Sequence, residues 1–243
     1  MTDQHPGSTA YRYAVYFAPS PGGLGWLAGS HWLGRCAAQL QPLPQPRIDG
    51  VPPQDLHRLT ASPRRYGWHA TLKPPFALAE GTDWLALHQA VQAVARGFRP
   101  FTLPPLHVQR IHNFLALVPA PTAPQATLQA IDALAAACVT QLQPLAAPLS
   151  GAELARRRAA GLTPRQDELL QRWGHPSVLD EFRFHMSITG NLTEVDHHTQ
   201  ALVQQAAEEF FADLPTLRFD SLALFAEPTP GADFVLLDHL ELG

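Results

Sequence analysis

The chain carries one polar pattern twice, as His69-Ala70-Thr71-Leu72 and as His185-Met186-Ser187-Ile188. In each copy a histidine and a hydroxyl residue stand two positions apart between apolar residues. Because successive side chains of a β-strand point to opposite faces, the histidine and the hydroxyl share one face and the apolar residues share the other. Two such strands need a core for their apolar faces and leave two polar faces, which predicts a duplicated half-site.

The residues around the two motifs extend these polar faces. In the first copy Lys73 continues the face of the histidine, and in the second copy Arg183 precedes the histidine on the same face. Faces rich in hydrogen-bond donors and positive charge suit an anion better than a hydrocarbon. We therefore predict that Lys73, Arg183 and the nearby Tyr66 bind substrate, with Tyr66 binding an oxygen or stacking on a sugar or base.

The order of predicted elements also repeats. A motif strand, a helix and two strands follow one another over about residues 67–118 and again over 182–240. The helices are predicted over 82–98 and 194–212, and the strands over 101–109, 111–118, 216–227 and 234–240. The expected fold class is α+β, with two pseudo-symmetric lobes of antiparallel sheet, helices on the outer faces and a central cleft. Such a cleft would have His69 and His185 on facing walls.

The remaining segments complete one bilobal domain over residues 11–243, after a disordered N-terminus over 1–10. Further predicted elements are a strand over 11–18, helices over 24–40 and 125–143, and two short helices within 150–174. Thr163 and Pro164 are suited to begin the second short helix. The proline-rich connector 41–53 and the segment 150–174 are where we expect a lid or a substrate-specific wall.

Composition narrows the class of protein and its partners. A hydrophobic content of 46% and a charged content of 16% are typical of soluble globular chains, and the net charge is about −4 with neutral histidines. No block of like charge favours a nucleic acid or a membrane partner, and no segment reaches the length of a membrane span. Cys36 and Cys138 lack the spacing of a disulfide framework or of a zinc site. We expect a cytoplasmic protein.

The paired motifs suit acid–base chemistry on a phosphate ester. A histidine titrates near neutrality, so two of them across a cleft can act as general base and general acid, with no metal or cofactor. The hydroxyls of Thr71 and Ser187 can donate to the non-bridging phosphate oxygens. We therefore predict His69, Thr71, His185 and Ser187 as catalytic residues, and a small phosphate ester as the partner. The two half-sites are too alike for their sequences to say which histidine is the acid.

With both motifs considered, the chain resembles the 2H phosphoesterase superfamily, whose signature is a pair of His-hydrophobic-Ser/Thr-hydrophobic strands. The surrounding residues Pro63–Lys73, Leu162–Gln166 and Glu181–His185 resemble a bacterial branch of phosphonate metabolism proteins that are encoded among carbon–phosphorus lyase genes. The resemblance implies a bilobal α/β fold, the two histidines as acid and base, the two hydroxyls on phosphate, and no metal. For the branch it implies a role in phosphonate breakdown, in which a cyclic ribose phosphate arises.

Three functions are therefore compared. The first is hydrolysis of a small cyclic phosphodiester, such as a ribose cyclic phosphate, in phosphonate metabolism. The second is a 2′,3′-cyclic phosphodiesterase that acts on RNA ends, against which the acidic net charge argues. The third is a module that binds a nucleotide or sugar phosphate without turnover. The presence of both histidines and both hydroxyls favours catalysis, because arginine or lysine would serve for binding alone.

Overall fold

The computed structural model describes residues 10–159 and 161–243. The strands are β1 Arg12–Phe17, β2 Arg35–Cys36, β3 Gln41–Pro42, β4 Ala70–Phe76, β5 Phe101–Thr102, β6 Leu106–Ile111, β7 Phe114–Pro119, β8 Met186–Ser187, β9 Arg218–Phe219, β10 Ser221–Glu227 and β11 Val235–Glu241. The helices are α1 Leu24–Leu33, α2 Pro53–Leu59, α3 Ala61–Tyr66, α4 Trp84–Arg96, α5 Gln125–Leu142, α6 Gly151–Arg158, α7 Pro164–Trp173 and α8 His197–Phe211. The disorder predicted for 1–10 concerns mainly residues 1–9, which lie outside the described residues.

A seven-stranded sheet in the order β11-β10-β1-β4-β8-β7-β6 organises the fold, and β2-β3 and β5-β9 form two small sheets. All of these strand pairs are antiparallel. The expected mixed fold of helices and antiparallel sheet is therefore confirmed. The two motif strands, β4 and β8, are neighbours near the centre of the large sheet.

The predicted repeat is present in the order of the elements, since β4-α4-β6-β7 and β8-α8-β10-β11 have the same succession. The two repeats exchange their final hairpins. The hairpin β6-β7 of the first repeat pairs with β8, whereas the hairpin β10-β11 of the second repeat joins β4 through β1. The hairpin of the first repeat therefore completes the sheet beside β8, and the hairpin of the second repeat completes the sheet on the side of β4.

The apolar faces of both motif strands lie in the core, as their alternation predicts. Ala70 and Leu72 are buried beside β1, and Met186 and Ile188 are buried in the same cluster. Helices α4, α5 and α8 pack on the sheet around this cluster. Burial of large aliphatic side chains contributes about 1.5–3 kcal/mol each. The core therefore fixes which way the polar faces of the two strands point.

The strands expected over 101–109 and 216–227 are each divided, into β5 and β6 and into β9 and β10, and two further elements are shorter than predicted. The helix expected over 24–40 ends at Leu33, because Gly34 adopts a left-handed conformation (φ 83°) and its N–H closes the last turn on Ser30 O. The second motif strand is only two residues long, so His185 precedes it. The helix start at Thr163 is confirmed, since this side chain accepts from Gln166 N in a capping box and Pro164 follows.

Candidate active site

One residue pair joins the two motifs. Ala70 of β4 stands directly opposite Met186 of β8. Both side chains are fully buried, so the residues on either side of them project from the other face of the sheet. This register places Thr71 opposite His185 and Ser187 opposite His69, with the two histidines on a diagonal whose Cβ separation is about 7 Å. The four residues form a pseudo-two-fold arrangement around the Ala70–Met186 pair.

His69 is held in one orientation by its own strand. Its Nδ1 lies 2.9 Å from Gly67 O, and its Nε2 lies 3.1 Å from Thr71 Oγ1. A carbonyl oxygen only accepts, so Nδ1 carries the proton and Nε2 keeps its lone pair for the hydroxyl. Gly67 is required here, because its φ is 83° and an added Cβ would lie 2.8 Å from Ala37 Cβ.

His185 repeats this orientation. Its Nδ1 lies 2.8 Å from Arg183 O, two residues earlier in the chain, as Gly67 is two residues before His69. Its ring contacts that of Phe114, with 5.7 Å between the centroids. In both motifs a backbone carbonyl therefore fixes the tautomer and leaves Nε2 as the nitrogen available for proton transfer.

Burial makes both imidazoles weak bases. The pKa of His69 is lowered to about 4, mainly by burial; the charge of His185 adds to this shift, and the hydrogen bond to Gly67 O opposes it. Burial also lowers the pKa of His185, against the hydrogen bond to Arg183 O. Because the pKa of His69 is lowered further than that of His185, the first proton goes to His185.

Tyr16 is a site residue that the sequence did not reveal. It stands opposite Thr71 in the sheet, and its ring stacks on His69 with 3.8 Å between the centroids. Its side chain is fully buried, lines the cleft, and carries a hydroxyl without a hydrogen-bond partner among the described residues. Burial raises the pKa of Tyr16, so this hydroxyl stays a donor. Only the pairing of β1 with β4, which is a tertiary contact, brings it to the site.

The cleft is a cavity of about 750 Å³ that opens over these residues. Six of the seven predicted site residues line it: Tyr66, His69, Thr71, Arg183, His185 and Ser187. Gln166 comes from the segment 150–174 and His175 follows this segment directly, so the segment forms part of the wall, as expected. No residue of 41–53 lines the cleft, so the expectation for that connector is wrong. Its Gln45 instead donates to Trp32 O and Thr60 Oγ1, outside the cleft lining.

Lys73 is the seventh predicted residue, and the prediction that it shares a face with His69 is wrong. The register of β1 and β4 shifts between Tyr16–Thr71 and Val15–Lys73, which reverses the facing direction of the strand at this point. Lys73 is only 2% exposed, and its Nζ donates to Gln143 Oε1 at 3.0 Å, next to α5. Lys73 therefore lies outside the cleft.

Tyr66 and Arg183 lie at the edges of the cleft. The ring of Tyr66 is 6.1 Å from that of His69 and stacks on Phe234 at 4.9 Å. Arg183 is exposed, and its Nη1 donates to Asp180 O and Phe182 O at 3.0 Å and 2.5 Å. Within residues 10–159 and 161–243, no three His, Cys, Asp or Glu side chains form a group that could hold a metal ion.

The structure brings two His-x-hydroxyl segments of one antiparallel sheet to a single cleft, as the two motifs predicted. The chain belongs to the family described as "Protein of unknown function (DUF1045)", whose profile matches residues 71–235. In the described part of the chain, no helix is both long enough and apolar enough to cross a bilayer.

Two curated relatives are similar over nearly all of this chain. A protein of Janthinobacterium sp. (strain Marseille) named ribose 1,5-bisphosphate phosphokinase PhnN is 42% identical over 228 residues, which is 92% of this chain and 49% of that protein. A protein of the same name from Laribacter hongkongensis (strain HLHK9) is 40% identical over 225 residues, which is 93% of this chain and 50% of that protein. The chain thus spans about half the length of the curated relatives it matches.

Two solved structures are similar at low sequence identity. LigT of E. coli in apo form is 12% identical with a TM-score of 0.44, over 97% of this chain and 99% of that chain. Usb1 of Kluyveromyces marxianus is 9% identical with a TM-score of 0.38, over 94% of this chain and 98% of that chain. The family assignment comes from the profile match and not from these distant likenesses.

Proposed function

We propose that this protein is a phosphoesterase of the 2H type that hydrolyses a small cyclic phosphodiester, with its two histidines as general base and general acid. The observation that carries the proposal is the opposition of Ala70 and Met186, which brings both His-x-hydroxyl pairs to one face. Both proton transfers are supplied by protein groups, so the reaction needs no metal.

His69 is the base and His185 the acid in this proposal. The pKa of His69, about 4, keeps its Nε2 unprotonated at neutral pH, while His185 takes up the first proton. A water oxygen attacks phosphorus and gives its proton to His69 Nε2. The bond from phosphorus to the leaving oxygen breaks, and that oxygen takes the proton of His185 Nε2.

Three hydroxyls support the charge that develops on phosphate. Ser187 lies beside the histidines and can donate to one non-bridging oxygen, and Thr71 can donate to the other once its hydroxyl leaves His69 Nε2 for the phosphate. Tyr16 adds a third donor, because its buried hydroxyl has no partner among the described residues and its ring lines the same cavity. A bound phosphate would satisfy this donor, which otherwise costs about 1–3 kcal/mol unpaired.

The name of the curated relatives bears on the substrate and not on the chemistry. They are named for a kinase that acts on ribose 1,5-bisphosphate, and this chain matches about half of their length. A phosphate-binding loop of the type Gly-x₄-Gly-Lys-Ser/Thr does not occur in this sequence. We assign the kinase activity to the other half of those proteins, and to this chain the hydrolysis of a related ribose cyclic phosphate in phosphonate metabolism.

A turnover assay in chelator tests the proposal. The purified protein is incubated with ribose 1,2-cyclic phosphate, a nucleoside 2′,3′-cyclic phosphate and an RNA with a 2′,3′-cyclic end. We expect turnover of the small substrates, and a loss of about 10²- to 10⁴-fold in His69→Gln and in His185→Gln. His197→Gln, at the exposed start of α8, is the matched control. Full turnover by the double histidine variant, or none by wild type with any substrate, would end the proposal.

A preference for the RNA would move the function to RNA-end processing. Tight binding of the small cyclic phosphates without product would instead identify a binding module. The two outcomes differ in product formation, so the same assay separates them.

A further inference from the structure

A second cavity adjoins the cleft. This cavity, which we call the recess, has a volume of about 470 Å³ and is lined from β1, β4, α6 and α7. It shares Pro74, Pro75 and His175 with the cleft, so the two cavities lie on either side of these residues.

The recess is positively charged. Arg12, Lys73 and Arg157 line it together with one carboxylate, Glu153, among the described residues. That carboxylate is already engaged, because it accepts from Ser150 N and Ser150 Oγ at 3.1 Å and 3.0 Å in the cap of α6. Of the side chains that the structure describes, three cationic ones therefore face the recess against the single negative charge of Glu153, which its hydrogen bonds from Ser150 keep ionised.

Arg12 is only partly neutralised. Its guanidinium pairs with Glu227, and the same buried carboxylate also pairs with Arg65. One carboxylate therefore serves two guanidinium groups, and this triad keeps a net positive charge at the end of the recess.

Lys73 and Arg157 form no ion pair within the described residues. Lys73 is 2% exposed and donates to the neutral Gln143 Oε1 at 3.0 Å. Arg157 donates through Nη1 to Gly174 O at 2.5 Å. Arg158, the next residue along α6, is by contrast paired with Asp167.

Lys73 is a buried cation without a carboxylate, which is costly, whereas Arg157 is half-buried and has Glu153 one turn before it in α6. Burial lowers the pKa of Lys73 to about 8 and also lowers the pKa of Arg157, against the charge of Glu153. An anion in the recess would compensate both charges and would restore the charged form of the lysine.

We propose that the recess is a second anion subsite, and that the substrate is a cyclic phosphodiester with a second phosphate. The phosphodiester lies at His69 and His185, and the second phosphate lies in the recess at Lys73 and Arg157. The assignment of the substrate class rests on the function proposed for the cleft, whereas the binding of an anion in the recess does not.

Paired substrates test the subsite in the full chain. The value of kcat/KM is measured for adenosine 2′,3′-cyclic phosphate with and without a 5′-phosphate. We expect wild type to prefer the 5′-phosphorylated substrate, and Lys73→Met and Arg157→Gln each to reduce this preference about 10- to 100-fold, as expected for a lost charge-assisted hydrogen bond. Arg99→Gln, an exposed arginine outside both cavities, should keep the wild-type preference.

Calorimetry tests the same subsite without turnover. The double variant His69→Gln/His185→Gln is titrated with the two ligands at pH 8, in two buffers of different ionisation enthalpy. The Kd of the 5′-phosphorylated ligand should rise about 10- to 100-fold when Lys73→Met is added. Because the pKa of Lys73 is about 8, binding should also take up about half a proton, and Lys73→Met should abolish this uptake.

The Lys73→Met variant keeps all other titratable groups near the recess. Proton uptake that persists in this variant comes from those groups, and uptake that is lost comes from Lys73. These groups are Tyr11, Arg12, Glu153, Arg157 and His175 in the recess and Cys138 next to Lys73.

Equal Kd values for the two ligands would contradict the proposed subsite. A difference in Kd that persists in both Lys73→Met and Arg157→Gln would contradict it as well. Absence of turnover with an intact difference in Kd would refute the proposed function and leave the subsite standing.

Discussion

The rate of hydrolysis should fall as the pH rises above neutrality. His185 acts as the acid in our proposal and must carry a proton, and burial lowers its pKa below the unperturbed value of about 6.5. A group with a pKa at or below that value loses about 8- to 10-fold of its protonated form between pH 7 and pH 8. The value of kcat/KM should fall by the same factor, because it reports the ionisation of the free enzyme.

At the acidic end of the profile, kcat/KM should instead rise with increasing pH. His69 must be unprotonated to act as base, and since its pKa is about 4, kcat/KM should fall only as the pH drops towards 4 and below. The maximum therefore lies between these limbs, on the acidic side of neutrality. A cyclic phosphodiester is strongly acidic and does not titrate in this range, so both limbs belong to the enzyme.

The assay is an initial-rate profile from pH 4 to pH 9 at low substrate concentration, with circular dichroism at each pH to confirm the fold. In His185→Gln the decline between pH 7 and pH 8 should disappear, and in His197→Gln it should stay as in wild type. A profile that is flat or rising between pH 7 and pH 8 would refute the assignment of His185 as acid. Loss of the decline in His69→Gln, but not in His185→Gln, would show that the roles are reversed.

Three further predictions follow from single side chains. Thr71→Val and Ser187→Ala should each lower kcat/KM about 10- to 100-fold, since each removes one donor to the phosphate. Tyr16→Phe should raise the free energy of unfolding by about 1 kcal/mol in urea titrations, since it removes a buried hydroxyl without a partner among the described residues, and should also lower kcat/KM. Glu227→Gln should lower the free energy of unfolding by about 3–5 kcal/mol, because it leaves two arginines without their shared buried carboxylate. Wild-type rates in both hydroxyl variants, a less stable Tyr16→Phe, or a Glu227→Gln protein as stable as wild type would each contradict the corresponding prediction.

The fold was predictable where local signals decide it. The buried faces of β4 and β8 follow from the alternation of apolar residues, and the start of α7 follows from Thr163 and its capping box. The exchange of the hairpins β6-β7 and β10-β11 was not predictable. The order of elements along the chain would be the same if each hairpin joined the motif strand of its own repeat. The partner of a strand depends on contacts that are distant in sequence, and a single chain's local pattern does not encode them.

The site was predictable up to the first irregularity of the strand. Strict alternation places His69 and Thr71 on one face correctly, but a register shift after Thr71 turns Lys73 to the other side. The local signal of this irregularity is the pair Pro74 and Pro75, since proline within a strand is typical of bulges. Tyr16 was missed because its contact with His69 depends on the pairing of two strands that are far apart in the chain.

The central claim is that one phosphate lies between the two imidazoles, and a crystal structure of the protein soaked with inorganic phosphate tests it most directly. The account predicts one anion within hydrogen-bonding distance of Nε2 of both His69 and His185, with the hydroxyls of Thr71 and Ser187 on its oxygens. A cleft without anion density at saturating phosphate, or a phosphate that contacts neither imidazole, would contradict it.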